Sequence, residues 1–204
     1  MLSAQDLACT RGDRLLFTGI NFELRAGQLL YVLGENGSGK SSLLRILCGL
    51  RSPEQGQVSW QGEDIRRQSD AYRSDLIYIG HLNALKDDLS ALENLSISCS
   101  VLGQNDGAVR ARAALQGLGL ARCADIAVRN LSQGQKRRVA LANLWLSRAR
   151  VWILDEPFSA LDTAAIVLLA SRIGEHLAAG GMAVLTTHQE VVIAAVTVQE
   201  LRLT

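Results

Sequence analysis

The stretch Gly34-Glu35-Asn36-Gly37-Ser38-Gly39-Lys40-Ser41 reads G-x-x-x-x-G-K-S, and it carries the sharpest chemical signal in the chain. Glycines at these spacings let successive backbone N–H groups turn inward toward phosphate oxygens, a conformation that a Cβ would obstruct. The following helix adds the partial positive charge of its N-terminus. In this pattern Lys40 reaches the outer phosphates and the Ser41 hydroxyl offers an oxygen to Mg²⁺. Ser42 extends the phosphate-binding set by one residue.

A second group lies far downstream. Val151-Trp152-Ile153-Leu154 is a continuous apolar run that ends in Asp155-Glu156. Neighbouring side chains diverge at a strand end, so two adjacent carboxylates can hold different posts. Asp155 is the candidate metal ligand and Glu156 the candidate base or positioner for an attacking water. A phosphate loop joined to such a pair describes binding and hydrolysis of a nucleoside triphosphate.

The elements that must carry these residues are readable. Leu29 to Leu33 is a short buried strand aimed at the glycine loop. Leu43, Leu44, Leu47 and Leu50 recur on one face of the helix after it, with Gly49 near its end and Pro53 beyond. Before them, Leu15 to Phe17 and Ile20 to Leu24 flank Gly19 as strands and turns. Val58 to Gly62 reads as a strand entering a turn, and Leu76 to Ile79 as a core strand. Residues 84–148 read as helical, with Leu89, Leu92 and Leu95 on one face and Ala111, Leu115 and Leu118 on another. Ser132-Gln133-Gly134-Gln135 has the form of a capping box, which starts a helix running on through Trp145. A helix from about Ala164 to Ala179 leads through Gly180-Gly181 to a last strand, Ala183 to Thr187. Strands alternating with helices predict an α/β chain with a mostly parallel sheet covered on both faces.

Bulk properties narrow the class. The 204 residues are 48% hydrophobic and 20% charged, with a formal net charge of +1. That is ordinary for a folded domain with ample core and argues against broad nucleic-acid binding. Cys9, Cys48, Cys99 and Cys123 form no C-x-x-C pair and read as packed thiols in a reducing compartment. Asp6, Arg11, Asp13 and Arg14 interrupt any signal-peptide pattern. No run reaches the ~20 apolar residues of a membrane span. Val191 to Val198 is too short and reads as a buried segment. The expected location is cytosolic, with membrane attachment only through a partner.

Together these segments resemble the nucleotide-binding domain of ABC-type ATPases, and the resemblance spans essentially the whole chain. It implies a P-loop NTPase with a mixed-sheet core, an N-terminal antiparallel β subdomain and a helical signature subdomain. The core would comprise about 1–82 and 150–204, and the helical part 83–149. Leu131-Ser132-Gln133-Gly134-Gln135 is similar to the family signature, with Gln133 in place of a glycine. The resemblance implies that this loop contacts the ATP held by the P-loop of a second copy, in a head-to-tail homodimer. Ser159-Ala160-Leu161-Asp162 resembles the D-loop at the dimer seam. His188 resembles the switch histidine that contacts the γ-phosphate. Lys40, Glu156 and His188 are thus the catalytic set, and ATP and Mg²⁺ the cofactors.

Two positions depart from the family pattern. Arg11 stands where an aromatic residue commonly stacks on adenine, and a guanidinium plane can also stack there. His81 stands where a Gln is expected; it can donate or ligate, and the Gln role is not carried over to it.

A narrower resemblance rests on Ile79-Gly80-His81, Ala91 to Leu95, Arg137 to Ala142, Leu144 to Leu146, Trp152 to Phe158 and Leu185 to Gln189. It is to the ATP-binding subunits of bacterial cytochrome c maturation systems, described as haem exporters. It implies the cytoplasmic face of the inner membrane, integral partners resembling CcmB and CcmC, and an indirect link to the haem chaperone CcmE. Hydrolysis would drive haem export or chaperone release. No C-x-x-C-H is present, and haem ligation by this chain is not expected. An exporter of another substrate, or a soluble ATPase acting on nucleic acid or ribosomes, are the other readings.

Overall fold

The computed structural model describes residues 1–104, 106–189, 191–193 and 197–203. They fall into two compact units. The first comprises Met1–Gly80, Ala149–Pro157 and Ile173–Thr204; the second comprises His81–Arg148 and Phe158–Arg172. The second unit therefore includes 158–172, a stretch assigned to the core from sequence.

The first unit contains two sheets. β1 (Leu2–Arg11) and β2 (Arg14–Leu24) form an antiparallel hairpin, with β4 (Gln55–Trp60) and β5 (Glu63–Asp64) completing the order β2-β1-β4-β5. Gly19, expected between two strands, lies inside the continuous β2 at φ 68°. A positive φ of this kind is accommodated by glycine at an irregular point of a strand.

The second sheet is built from β3 (Leu29–Leu33), β6 (Leu76–Ile79), β7 (Val151–Leu154), β8 (Met182–Thr186) and β9 (Val198–Arg202) in the order β6-β7-β8-β3-β9. All its pairings are parallel, in contrast to the antiparallel pairings of the first sheet. β7 and β8 are buried along their whole length, as apolar strands of a doubly covered parallel sheet must be. The short helices α1 (Lys40–Leu47) and α2 (Ser69–Ser74) belong to this unit. Leu43, Leu44, Ile46 and Leu47 of α1 share one core with Val32, Ile153 and Val184.

β9 is a further strand beyond the one expected to be last. The reading of Val191 to Val198 as buried is corrected. Val192 is 91% exposed and Val198 47%, only Ile193 being buried, while 194–196 lie outside the described residues. These apolar residues precede and begin an edge strand, which has one open side.

The second unit is helical: α3 (Ala91–Val101), α4 (Gly107–Gly117), α5 (Gln133–Leu141) and α6 (Asn143–Leu146) enclose Leu95, Leu115, Leu118, Val139 and Leu146. α3 begins with a capping box at Ser90, so Leu89 lies before the helix rather than in it. Ala142 interrupts the predicted run to Trp145, dividing it into α5 and α6. α7 (Thr163–Ala178) starts in this unit and ends in the first.

Candidate functional site: the phosphate loop and the strand-end carboxylates

β3 delivers the chain to Gly34, and α1 begins at Lys40, so the glycine loop sits between a parallel strand and a helix N-terminus. Gly34 and Gly39 have φ 148° and 103°. A Cβ on Gly34 would lie 2.6 Å from Ser38 Oγ and 2.7 Å from the Leu203 carbonyl; one on Gly39 would press on Phe17 at 3.0 Å. Both glycines are therefore required by conformation and by space.

Lys40 is buried, and its ammonium donates to the carbonyls of Gly34 (2.7 Å) and Glu35 (2.9 Å). A cation is thus folded back over the loop, with a third proton left for another acceptor. Ser38 Oγ is buried and has no hydrogen-bond partner among the described residues. An orphaned buried hydroxyl beside a lysine and a helix N-terminus suits an anion.

The carboxylates lie at the end of β7. Asp155 is 4% exposed, and its Oδ1 accepts a 2.8 Å bond from Thr186 Oγ1. Glu156 follows at φ 47°, a left-handed conformation that costs a non-glycine residue about 1–2 kcal/mol. Its N–H donates to the same Thr186 oxygen at 2.8 Å, and its Oε1 lies 3.5 Å from His188 Nε2. His188 is held in a turn where the Thr187 hydroxyl donates to the Gln189 carbonyl and accepts from the Gln189 N–H. Asp155, Glu156 and His188 thus stand at neighbouring strand ends of one sheet, beside the strand that feeds the loop.

Among the described residues no cluster of three His, Cys, Asp or Glu side chains could hold a metal alone. Mg²⁺ usually keeps several waters and takes one or two carboxylates plus substrate phosphates. A hydroxyl at Ser41 and a buried carboxylate at Asp155 fit that donor set.

Tyr78 leans across Gly80, its hydroxyl 3.0 Å from where a Cβ of Gly80 would be. Burial first, then the charge of Asp155, push this phenol above its ordinary pKa, with Arg45 opposing.

A cavity of about 500 Å³ adjoins the loop, lined by Arg14, Leu15, Leu16, Gly34–Asn36, Ser38, Arg202 and Leu203. Arg11 pairs with Arg14 across the hairpin and is exposed, but it does not line this cavity. A second cavity of about 500 Å³ lies on the His188 side, lined by Tyr31, Leu33, Gly34, Thr187–Gln189, Glu200 and Arg202 among others.

The signature segment belongs to the second unit. Ser132 is the N-cap of α5: its Oγ accepts from the Gln135 N–H at 3.2 Å, and Gln135 Oε1 accepts from the Ser132 N–H at 2.8 Å. Ser132 and Gln133 are exposed, and Leu131 is buried. A Cβ on Gly134 would meet the Ala160 carbonyl at 2.9 Å, so the 131–135 and 159–162 segments are in close contact. Asp162 caps α7 through the Ala165 N–H at 2.8 Å, and its other oxygen lies 3.9 Å from Arg138. Ser159 and Leu161 complete that segment, and Ala160 has φ 59°. His81 is exposed at the start of this unit. Nearby, the buried Arg137 donates to Asn83 Oδ1 at 3.3 Å.

Sequence reasoning passed over Thr186. Its signal was a hydroxyl closing an otherwise apolar strand two residues before His188.

A glycine loop on a parallel strand, a buried lysine over it and paired carboxylates at the end of a nearby strand define a phosphate-binding-loop nucleotide hydrolase. The antiparallel sheet and the helical unit with its capped signature give it the architecture of an ATP-binding cassette. The sequence profile of the family described as "ABC transporter" matches residues 17–159, and the chain belongs to that family. It is 53% identical, over the full length of both chains, to the cytochrome c biogenesis ATP-binding export protein CcmA of Dechloromonas aromatica. It is 49% identical to the protein of that name from Nitrosomonas europaea, over 98% of this chain and 94% of the relative. A solved ATP-binding subunit of an ABC transporter superposes with TM-score 0.82 at 28% identity, covering 92% of this chain and 79% of the other. A dimeric bacterial ABC transporter cassette superposes with TM-score 0.83 at 24% identity, covering 99% and 94%, and shares the fold.

Proposed function

We propose that this chain is the ATP-hydrolysing subunit of an ABC transporter complex that serves cytochrome c biogenesis. Full-length identity of 53% to a protein named for that export role carries the assignment; the loop and the paired carboxylates supply the chemistry.

The loop amides and Lys40 bind and orient the triphosphate, and residues 34–42 form its cradle. Ser41 and Asp155 would hold Mg²⁺, which neutralises charge on the outer phosphate oxygens when bound. Glu156 accepts a proton from, or orients, the attacking water, and His188 at 3.5 Å holds that carboxylate and faces the terminal phosphate. The γ-phosphorus–oxygen bond to ADP breaks as the water oxygen bonds to phosphorus, giving ADP and phosphate. Ser132 and the free N–H groups at the start of α5 suit the same phosphate from a second copy. The working form in this reading is a head-to-tail homodimer with the 159–162 segment at its seam. Arg11 is proposed to stack on the base, and His81 to occupy the position of the family's coupling glutamine.

No described helix is long and apolar enough to cross a membrane. On the likeness to the export proteins, the reading places the chain on the cytoplasmic face, held by integral subunits resembling CcmB and CcmC, with Asn83 to Asn94 as the contact segment. Its hydrolysis would serve haem export or release of the chaperone CcmE. Motor residues report chemistry and not cargo, so the test is affinity purification from membranes with identification of co-purifying integral proteins. Recovery of cytochrome c maturation subunits, with ATPase activity in the complex, is expected. Recovery of a transporter for another substrate would overturn the cargo.

A further inference from the structure

We infer that Thr186 is a positioning residue that holds Asp155 and Glu156 in working geometry through one hydroxyl. The inference deepens the hydrolase reading and rests on it.

Thr186 closes β8, where Met182, Ala183, Val184 and Leu185 are all buried apolar residues. It is itself fully buried. A hydroxyl in such a place costs free energy unless it is hydrogen-bonded. Strand pairing brings it to its partners: Leu154 of β7 lies opposite Leu185 of β8, so the next step places Asp155 beside Thr186.

A hydroxyl has one proton to give and lone pairs to accept with. Thr186 uses both on the two acidic residues. It donates to Asp155 Oδ1 at 2.8 Å and accepts from the Glu156 N–H at 2.8 Å. The first bond fixes the rotation of a carboxylate assigned to the metal. The second anchors the peptide that enters the left-handed Glu156, whose φ is 47°. Because that peptide sets where the Glu156 side chain departs, the bond also supports the 3.5 Å approach of Oε1 to His188 Nε2. His188 is two residues beyond Thr186, so one short segment places the histidine and both carboxylates. Valine would fill the same space and offer neither bond.

The test compares Thr186→Val with Thr186→Ser in the purified chain and in its membrane complex. Steady-state turnover gives kcat and KM. Calorimetry with a non-hydrolysable ATP analogue, with and without Mg²⁺, gives the metal-dependent part of nucleotide affinity. Loss of an outer-shell partner of this kind typically costs roughly ten- to hundredfold. Thr186→Val should lose that much in kcat or in the Mg²⁺ enhancement of affinity, and hold metal-free affinity within about threefold of wild type. Thr186→Ser should recover most of the loss. Should Thr186→Val fail to fold, Thr186→Ala removes the hydroxyl together with the γ-methyl and is read in the same way. Wild-type kcat and Mg²⁺ dependence in a folded variant without the hydroxyl would overturn the inference. Absence of turnover in wild type, alone and in the complex, would instead sink the hydrolase reading; the calorimetric comparison still decides the role of Thr186.

Discussion

Ser132 has two roles that a pair of substitutions can pull apart. One is observed: it caps α5 through the 3.2 Å bond to the Gln135 N–H. The other is proposed: it faces the triphosphate of a second copy. Ser132→Ala removes the cap, which costs about 1 kcal/mol and lowers Tm by about 2–4 °C in a chain of this size. Ser132→Asp keeps an N-cap acceptor and places a negative charge at a helix N-terminus, where the dipole favours it. Without nucleotide, the Asp variant should therefore melt at or slightly above wild type. With nucleotide the sign reverses. A carboxylate about 4 Å from a phosphate charge, at an effective dielectric of about 20, is repelled by about 4 kcal/mol per unit charge. That is roughly a thousandfold in association for each contact, and a head-to-tail dimer has two. The assay is size-exclusion chromatography with Mg-ATP in the Glu156→Gln background, beside calorimetric melting without nucleotide. Alanine should show the lower Tm with part of the dimer retained, and aspartate an unchanged Tm with the dimer lost. An aspartate variant that dimerises on ATP like its parent would refute the placement of this loop against a partner's phosphates.

Lys40→Ala removes the cation that spans the Gly34 and Glu35 carbonyls, and nucleotide titration should show at least a hundredfold loss of affinity, about 3 kcal/mol for a charged hydrogen-bonding group. Glu156→Gln should keep nucleotide affinity and stall turnover, so that the ATP-bound dimer persists; rapid phosphate release from that variant would remove Glu156 from its post. Arg11→Ala should weaken ATP about two- to fivefold if its guanidinium stacks on the base, by the ~0.5–1 kcal/mol of an exposed cation–π contact. An effect of Arg14→Ala alone would move base recognition to the cavity that Arg14 lines. Iodoacetamide should label Cys123, which is partly exposed, and spare Cys9, Cys48 and Cys99, which are buried and whose thiol pKa values burial raises; peptide mass spectrometry reads the result.

The parts of the site that were legible in the chain are those made by consecutive residues. A glycine loop, a capping box and an acidic pair after an apolar strand each solve a local problem with neighbours in sequence, so residue type and spacing suffice. Ser132 shows it well: S-x-x-Q predicts the cap, and both reciprocal bonds are present. What escaped was made by pairing. β9 alternates exposed with half-buried residues, Gln199, Glu200 and Arg202 among them, so it has no apolar run to announce it. Charged side chains are a common way to protect an edge strand, and they also hide it from a hydrophobicity pattern. Tyr78 and Gly80 look like ordinary strand-end residues until the ring is seen lying across the missing side chain.

Thr186 is the sharpest case of that division. A threonine in a strand satisfies β propensity and needs no further explanation from its own neighbours. Its partners, Asp155 and Glu156, are about thirty residues earlier and meet it only because β7 and β8 are adjacent and in register. The Asp155 carboxylate and the Glu156 backbone N–H, on residues read from sequence as independent groups, are in the fold tied to one oxygen atom. A change at either one should therefore be felt at the other, and the effects of Thr186→Val and Glu156→Gln on turnover should combine less than additively. Additive losses in that double-mutant cycle would mean that the hydroxyl and the glutamate act separately.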